Sequence, residues 1–188
     1  MRVLRIATAS LALLLVAAPA SAVERQHHLA LAPSLGLLKV DQSPLSVGAG
    51  INALYTYGIT DQFNLVVEGG SSLLSFSRDP QEPEKDKTVP KTRPGNLSTL
   101  GTGLTYVLDV LRFVPYGGVL LGGNVLGGGT LENPRFIPSI QLALGLDYQF
   151  NRLVSAGVGY RQHIFFAEPS TYPSYSVIFA KIELSWGY

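Results

Sequence analysis

Five ionisable residues occur in segments that otherwise carry almost no charge. Three are acids and two are bases, so they could form buried ion pairs, control a narrow pore, or transfer protons through paired carboxylates. They are Glu68, Asp147, Arg161, Lys181 and Glu183. Because the sequence indicates no accessible substrate pocket beside them, we expect an ion-pair network and no catalysis.

Histidines and cysteines would be the usual sources of metal or nucleophile chemistry. The sequence has no cysteine, which excludes disulfides and thiolate zinc sites. The adjacent His27 and His28 could bind a metal, but we interpret them as a solvated pair near the start of the first strand. His163 is the only histidine in a late strand. We therefore predict neither a metal nor a cofactor.

The composition limits the class of protein that these residues can belong to. The chain has 188 residues, of which 46% are hydrophobic and 14% charged, with a formal net charge of +1. A typical soluble chain has about 25% charged residues, and disordered chains have more. The chain is long enough for one domain, and its charge gives no reason to expect a nucleic-acid partner.

The first 22 residues have the features of a secretory signal peptide. Arg2 and Arg5 precede an apolar run over residues 6–18, which ends at the small residues Ala20, Ser21 and Ala22. A basic region, an apolar region and an A-x-A site predict export and cleavage. We therefore predict a signal peptide over residues 1–22 and one domain over residues 23–188.

Apolar and polar residues alternate through most of the predicted domain, which is the period of β-strands. Short turns and longer connections alternate between these segments. An even number of strands with this alternation predicts an all-β, eight-stranded antiparallel up-and-down barrel. The predicted strands are residues 28–40, 46–59, 63–77, 96–108, 113–125, 137–150, 153–165 and 175–188.

Three features indicate that the apolar faces point outward, as in a transmembrane barrel. The polar faces hold few charges, with Lys39 at a strand end, and they hold most of the strand glycines, which suits a narrow lumen. No charge is expected on an apolar face. Aromatic residues gather on the apolar faces at the short-turn end, as at a membrane interface. A second aromatic girdle is expected at the other end from Phe76, Phe136, Phe165, Phe166, Tyr172 and Tyr175.

The last strand contains Ile182-x-Leu184-x-Trp186-x-Tyr188, and earlier strands contain Val114-Pro115-Tyr116-Gly117-Gly118 and Gly145-Leu146-Asp147-Tyr148. On these residues the chain resembles the small outer-membrane β-barrel proteins of the OmpA-transmembrane, OmpX and OmpW kind. The resemblance implies a location in the bacterial outer membrane. It also implies that Ile182, Leu184, Trp186 and Tyr188 form a signal for the outer-membrane assembly machinery.

Lipid A deacylases of similar size and fold use a His-x-Ser pair that faces lipid. His163 is followed here by Ile164 and Phe165, and it falls on the lumen face, so we do not expect this activity.

The loop over residues 78–95 contains nine charged residues and four prolines. Its cations Lys85, Lys87, Lys91 and Arg93 could contact lipopolysaccharide phosphates or a surface partner. We therefore expect a monomeric barrel in outer-membrane lipid and lipopolysaccharide, with a structural or surface-interaction role. A narrow channel for ions or small apolar molecules is one alternative, and a soluble lipocalin-like carrier is another.

Overall fold

The computed structural model describes residues 25–41, 45–75, 93–108 and 112–187. The predicted signal peptide and Tyr188 lie outside these residues. None of the described residues forms a helix long and apolar enough to cross a bilayer.

Eight strands form an all-β structure, as the alternating sequence pattern predicts. The ladder between the fifth and sixth strands continues to Leu126 opposite Arg135, so these two strands extend beyond their predicted ends. The strands are β1 His27–Lys39, β2 Ser46–Gly58, β3 Phe63–Ser75, β4 Asn96–Val107, β5 Phe113–Gly127, β6 Arg135–Gln149, β7 Val154–Phe165 and β8 Ser174–Trp186.

The strands form a closed antiparallel barrel in which each strand pairs with its sequence neighbours and β1 pairs with β8. At the β1–β8 seam, Leu29 is opposite Leu184 and Gly36 is opposite Val177. Closure gives every strand two partners, so there is no sheet edge whose backbone groups would need water. This property allows a β-structure to be surrounded by lipid.

Burial alternates along the strands with the apolar residues outside. Leu31 is 59% exposed, Leu100 66% and Ile182 66%, whereas the intervening lumen residues are mostly buried. The predicted orientation of the two faces is therefore confirmed. Lys39 is an exception to our prediction, because its position in the β1 alternation places it on the outward face with Leu35 and Leu37. It is the last residue of β1, where a long side chain can reach the membrane surface.

Outward aromatic residues are grouped at the short-turn end. Neighbouring rings there meet edge to face, with centroid distances of 5.2 Å for Phe63–Tyr106 and 5.1 Å for Phe113–Tyr148. This geometry is the favourable one for aromatic pairs. The rings stand where an interfacial girdle is expected.

The prediction of a second aromatic girdle is wrong for three of its six members. Phe165, Tyr172 and Tyr175 are 6%, 1% and 1% exposed and lie inside the barrel. Phe165 shares the inward face of β7 with Arg161, and Tyr175 shares that of β8 with Lys181. Phe136 and Phe166 do point outward, and Phe76 lies outside the described residues.

These inward aromatics belong to an apolar cluster that fills the lumen at the long-loop end. We call this cluster the plug, and define it as the buried residues Leu38, Val40, Leu97, Leu126, Ile137, Phe165, Tyr172 and Tyr175. Loop backbones hold it in place, since Asp41 N donates to Thr171 O over 2.9 Å and Tyr172 N to Glu168 O over 3.0 Å. Burial raises the pKa of the Tyr172 hydroxyl, so this ring enters the plug as the neutral phenol.

Candidate functional site: the charged lumen

The charged residues of the lumen form two groups, one at mid-height and one closer to the short-turn end of the barrel. In the first group, Arg161 Nε lies 2.8 Å from Glu68 Oε2. The two residues belong to β7 and β3, which stand on opposite sides of the eight-stranded barrel. Both are buried, and the Arg161 guanidinium also lies 5.0 Å from the centre of the Phe179 ring. This pair therefore connects opposite walls across the lumen.

In the second group, Lys181 contacts two carboxylates. Its Nζ lies 2.8 Å from Asp147 Oδ2 and 2.6 Å from Glu183 Oε2. The same ammonium is 5.1 Å from the centre of the Tyr116 ring. Buried charges need such partners, because an uncompensated one carries a large desolvation cost. The structure thus gives each of the five charges singled out in the sequence an oppositely charged partner.

His28 joins this second group, which corrects our interpretation of it as a solvated residue. Its Nδ1 lies 3.1 Å from Glu183 Oε1 and 2.8 Å from Ser185 Oγ, and the residue is 9% exposed. Ser155 Oγ donates to the same Glu183 oxygen over 3.3 Å. The sequence does contain the signal for this placement, since His28 alternates in phase with the inward Ala30 and Ala32.

His27 points to the other side of the barrel wall. Its ring is stacked on Trp186 at a centroid distance of 5.7 Å, and its Nδ1 is 2.7 Å from the Tyr55 hydroxyl. Successive strand residues face opposite sides of a sheet, so His27 and His28 cannot bind one metal together. The described residues contain no group of three or more side chains suited to hold a metal ion.

The arrangement of Ser185, His28 and Glu183 does not match a nucleophile relay. A catalytic histidine uses one ring nitrogen for the nucleophile and the other for the orienting carboxylate. Here Ser185 and Glu183 both contact Nδ1 of His28.

His163 lies on the lumen face, as the alternation predicts, and is 1% exposed. Its ring centroid is 4.8 Å from that of Tyr175, so it packs beneath the plug. It therefore lies away from lipid.

Glycines provide the space for the large lumen side chains. A Cβ at Gly157 would overlap the Asp147 carboxylate, one at Gly159 would overlap the Phe179 ring, and one at Gly145 would overlap the Tyr116 ring. These three glycines are thus explained by close approach of the side chains that surround the two charged groups.

A cavity of about 60 Å³ lies at the short-turn end of the lumen. Its wall includes charged and polar groups from the second ion-pair group and apolar side chains near the mouth, such as Val107 and Val114. The plug fills the opposite end of the barrel, so the described residues form a lumen that is closed at the long-loop end.

The remaining predicted site residues lie away from the lumen. Ile182, Leu184 and Trp186 point outward and are 66%, 55% and 46% exposed, while Tyr188 lies outside the described residues. Among the loop cations, Lys85, Lys87 and Lys91 also lie outside them. The backbone N–H of Arg93 donates to Thr130 Oγ1 over 3.1 Å, which joins two long loops.

A closed eight-stranded barrel with an apolar exterior and a charged lumen is the architecture of small integral outer-membrane proteins. The family model described as outer membrane protein beta-barrel domain matches residues 8–186. The chain therefore belongs to the outer membrane protein beta-barrel family, and this membership indicates an outer-membrane location.

Solved structures show the same fold at low sequence identity. Ail, the attachment invasion locus protein of Yersinia pestis, has 12% identity and a TM-score of 0.58, over 87% of this chain and 99% of that chain. Neisserial surface protein A has 17% identity and a TM-score of 0.61, over 84% and 96%. OprG from Pseudomonas aeruginosa has 10% identity and a TM-score of 0.54, over 88% and 98%. Curated protein sequences gave no significant match.

Proposed function

We propose that this chain is a non-conducting, non-catalytic outer-membrane barrel that provides a rigid support for surface interactions by its long loops. The observation that carries this proposal is the filled lumen. The plug occupies the long-loop end, and the Arg161–Glu68 pair crosses the lumen at mid-height. A soluble carrier would bury its apolar face, which is the opposite of the arrangement in this barrel.

Planar-bilayer recording of the refolded protein tests the closed lumen. We expect no reproducible single-channel steps, because the plug residues are packed together and at most 6% exposed. The short-turn cavity favours a narrow channel as the second candidate. Stable openings whose conductance changes in Arg161→Ala would support that candidate and contradict ours.

We assign the proposed surface interaction to the loop over residues 78–95. The structural neighbour Ail is named for attachment and invasion, and its structure has also been determined with the heparin analogue sucrose octasulfate. We propose that Lys85, Lys87, Lys91 and Arg93 likewise attract sulfated or phosphorylated polyanions, with lipopolysaccharide as the nearest source.

Replacing these four cations with glutamine should reduce retention of the protein on a heparin column and its binding to lipopolysaccharide. The matched control replaces four acids of the same loop, Asp79, Glu82, Glu84 and Asp86, with glutamine or asparagine. We expect the cation variant to elute at lower salt than the parent and the acid variant at higher salt. Identical elution of all three proteins would contradict a role for this loop.

Two further proposals concern biogenesis and assembly state. The outward Ile182, Leu184 and Trp186, with Tyr188, are proposed to be read by the assembly machinery. Deletion of residues 186–188 should then abolish heat-modifiable gel migration in cells.

We also propose a monomer, because the barrel closes on itself without a second chain.

A further inference from the structure

The ladder between β1 and β8 is interrupted in its middle. Its register runs to Leu31 opposite Ile182 and resumes at Ser34 opposite Phe179, so residues 32 and 33 form no pair with β8. The other seven ladders have no such gap over the residues that the structure describes. The β1–β8 seam is therefore the one interrupted strand pair in the described part of the barrel.

Pro33 explains the interruption. Gly58 N donates to Gln26 O, and the backbone groups of successive strand residues point to opposite neighbours. Even-numbered residues of β1 therefore bond to β2, and odd-numbered ones to β8. The N–H of residue 33 would donate across the seam, and the flanking register places the Ala180 carbonyl opposite it. Because proline has no N–H, the Ala180 oxygen lacks its ladder donor.

The gap lies at the position farthest from water on both sides of the membrane. Pro33 and Ala180 are the middle residues of β1 and β8, and both are exposed on the outward face. In a bilayer this level is hydrocarbon, where no solvent replaces a missing donor. An unpaired carbonyl there carries its desolvation cost, and proline is otherwise confined to strand ends and edges. The centre of the seam is thus weaker than the centres of the continuous ladders.

The same strand pair is also the costliest to close. Every other pair joins consecutive strands, whereas the seam joins the first strand to the last. Loop-closure entropy rises, although slowly, with the length of chain that is enclosed. The missing hydrogen bond therefore weakens the ladder that already has the largest entropic cost.

Side-chain contacts hold the two ends of the seam together. At the short-turn end, His28 Nδ1 on β1 lies 2.8 Å from Ser185 Oγ on β8. At the long-loop end, Leu38 and Tyr175 are register partners and are both buried in the plug. Separation of the two strands is therefore easiest between these ends, at the gap.

We propose that the folded barrel opens locally at the centre of the β1–β8 seam, and that Pro33 sets how easily it opens. Opening separates the middle of β1 from β8, while the seven continuous ladders and both ends of the seam stay paired. Local openings of this kind cost less free energy than global unfolding, and amide hydrogen exchange measures them. The proposal does not depend on whether the lumen conducts.

Amide exchange, followed by NMR of the refolded protein in micelles, tests the opening, because β1 contains its own control. The N–H groups of Leu31 and Leu35 point to β8, and we call them the seam amides. Those of Ala30 and Ser34 lie at similar depth and point to β2. We expect the seam amides to exchange about tenfold faster or more, as the loss of one hydrogen bond would allow. Equal protection of the two sets would overturn the proposal.

A proline replacement tests the cause of the opening. Pro33→Thr restores a donor opposite Ala180 and places a β-branched side chain on the outward face. It should slow exchange of the seam amides by about tenfold and leave the β2-facing amides of β1 unchanged. Unchanged seam exchange in this variant would overturn the role of Pro33, and the comparison within the parent protein stands even if the variant fails to fold.

Pro138→Thr is the matched control. It makes the same replacement on the outward face of β6, near a strand end where Pro138 O already accepts from Phe166 N over 3.0 Å. This variant should leave exchange of the seam amides as in the parent. Equal slowing by both replacements would show a general effect of removing proline, and would contradict a specific role for Pro33.

Discussion

At the residue scale, the Arg161–Glu68 pair connects opposite walls of the charged lumen. It joins residues 93 positions apart in sequence, on opposite walls of the barrel. Lys181 and its two carboxylates are closer together in sequence and lie on β6 and β8. Because these charges are buried, removing one member of a pair should cost more than the pair itself contributes.

Arg161→Ala should therefore lower the free energy of unfolding by about 3–5 kcal/mol, because it leaves the Glu68 carboxylate buried without a partner. The double variant Arg161→Ala/Glu68→Gln should recover part of that loss. Urea unfolding in lipid vesicles, followed by heat-modifiable gel migration, measures both changes. An Arg161→Ala protein as stable as the parent would show that Glu68 reaches water or another cation.

A second prediction at the residue scale concerns the glycines that face the lumen. Gly159→Ala places a Cβ against the Phe179 ring, and overpacking of this kind typically costs about 1–3 kcal/mol. Gly69→Ala is the matched control, because its nearest neighbours would lie at 3.6 and 3.7 Å. The same unfolding assay should find Gly69→Ala close to the parent. A Gly159→Ala protein of parental stability would mean that Phe179 moves freely.

At the element scale, each strand has a lipid face whose tolerance for charge should depend on depth. Leu142 is at the centre of β6 and points outward, while Phe136 is near the long-loop end of the same face. Leu142→Arg should lower the free energy of unfolding by about 2–4 kcal/mol, and Phe136→Arg by about 1 kcal/mol or less. Vesicle unfolding measures both. Equal costs at the two positions would be inconsistent with a membrane centred on β6.

The strands were predictable from the sequence because two-residue alternation depends only on local chemistry. The inward placement of His28 follows from the same alternation, although neighbouring histidines suggested a solvated pair. Tyr172 was not predictable in this way, because it lies in a loop without periodicity, and its burial depends on contacts between distant segments, such as that with Phe165. The pairing of Arg161 with Glu68 also required the order of strands around the barrel.

At the scale of the whole molecule, the barrel has two different ends. The long-loop end is apolar and filled, with loops joined by backbone hydrogen bonds such as Asp41 to Thr171. The short-turn end is polar and contains the cavity. The sequence showed that a lumen with charges existed, but it did not show which end was closed. This difference between the two ends favours a rigid support over a channel, because a channel must be open at both ends.

The most direct test of a closed barrel is a paired conductance measurement on the refolded parent and the plug variant Tyr172→Ala/Tyr175→Ala. Both rings are 1% exposed within the plug, so their removal should open space at the long-loop end while the strands remain paired. We predict a silent parent in planar bilayers, and brief or stable current steps in the variant. Stable openings of equal conductance in both proteins would contradict the claim that the plug closes this barrel.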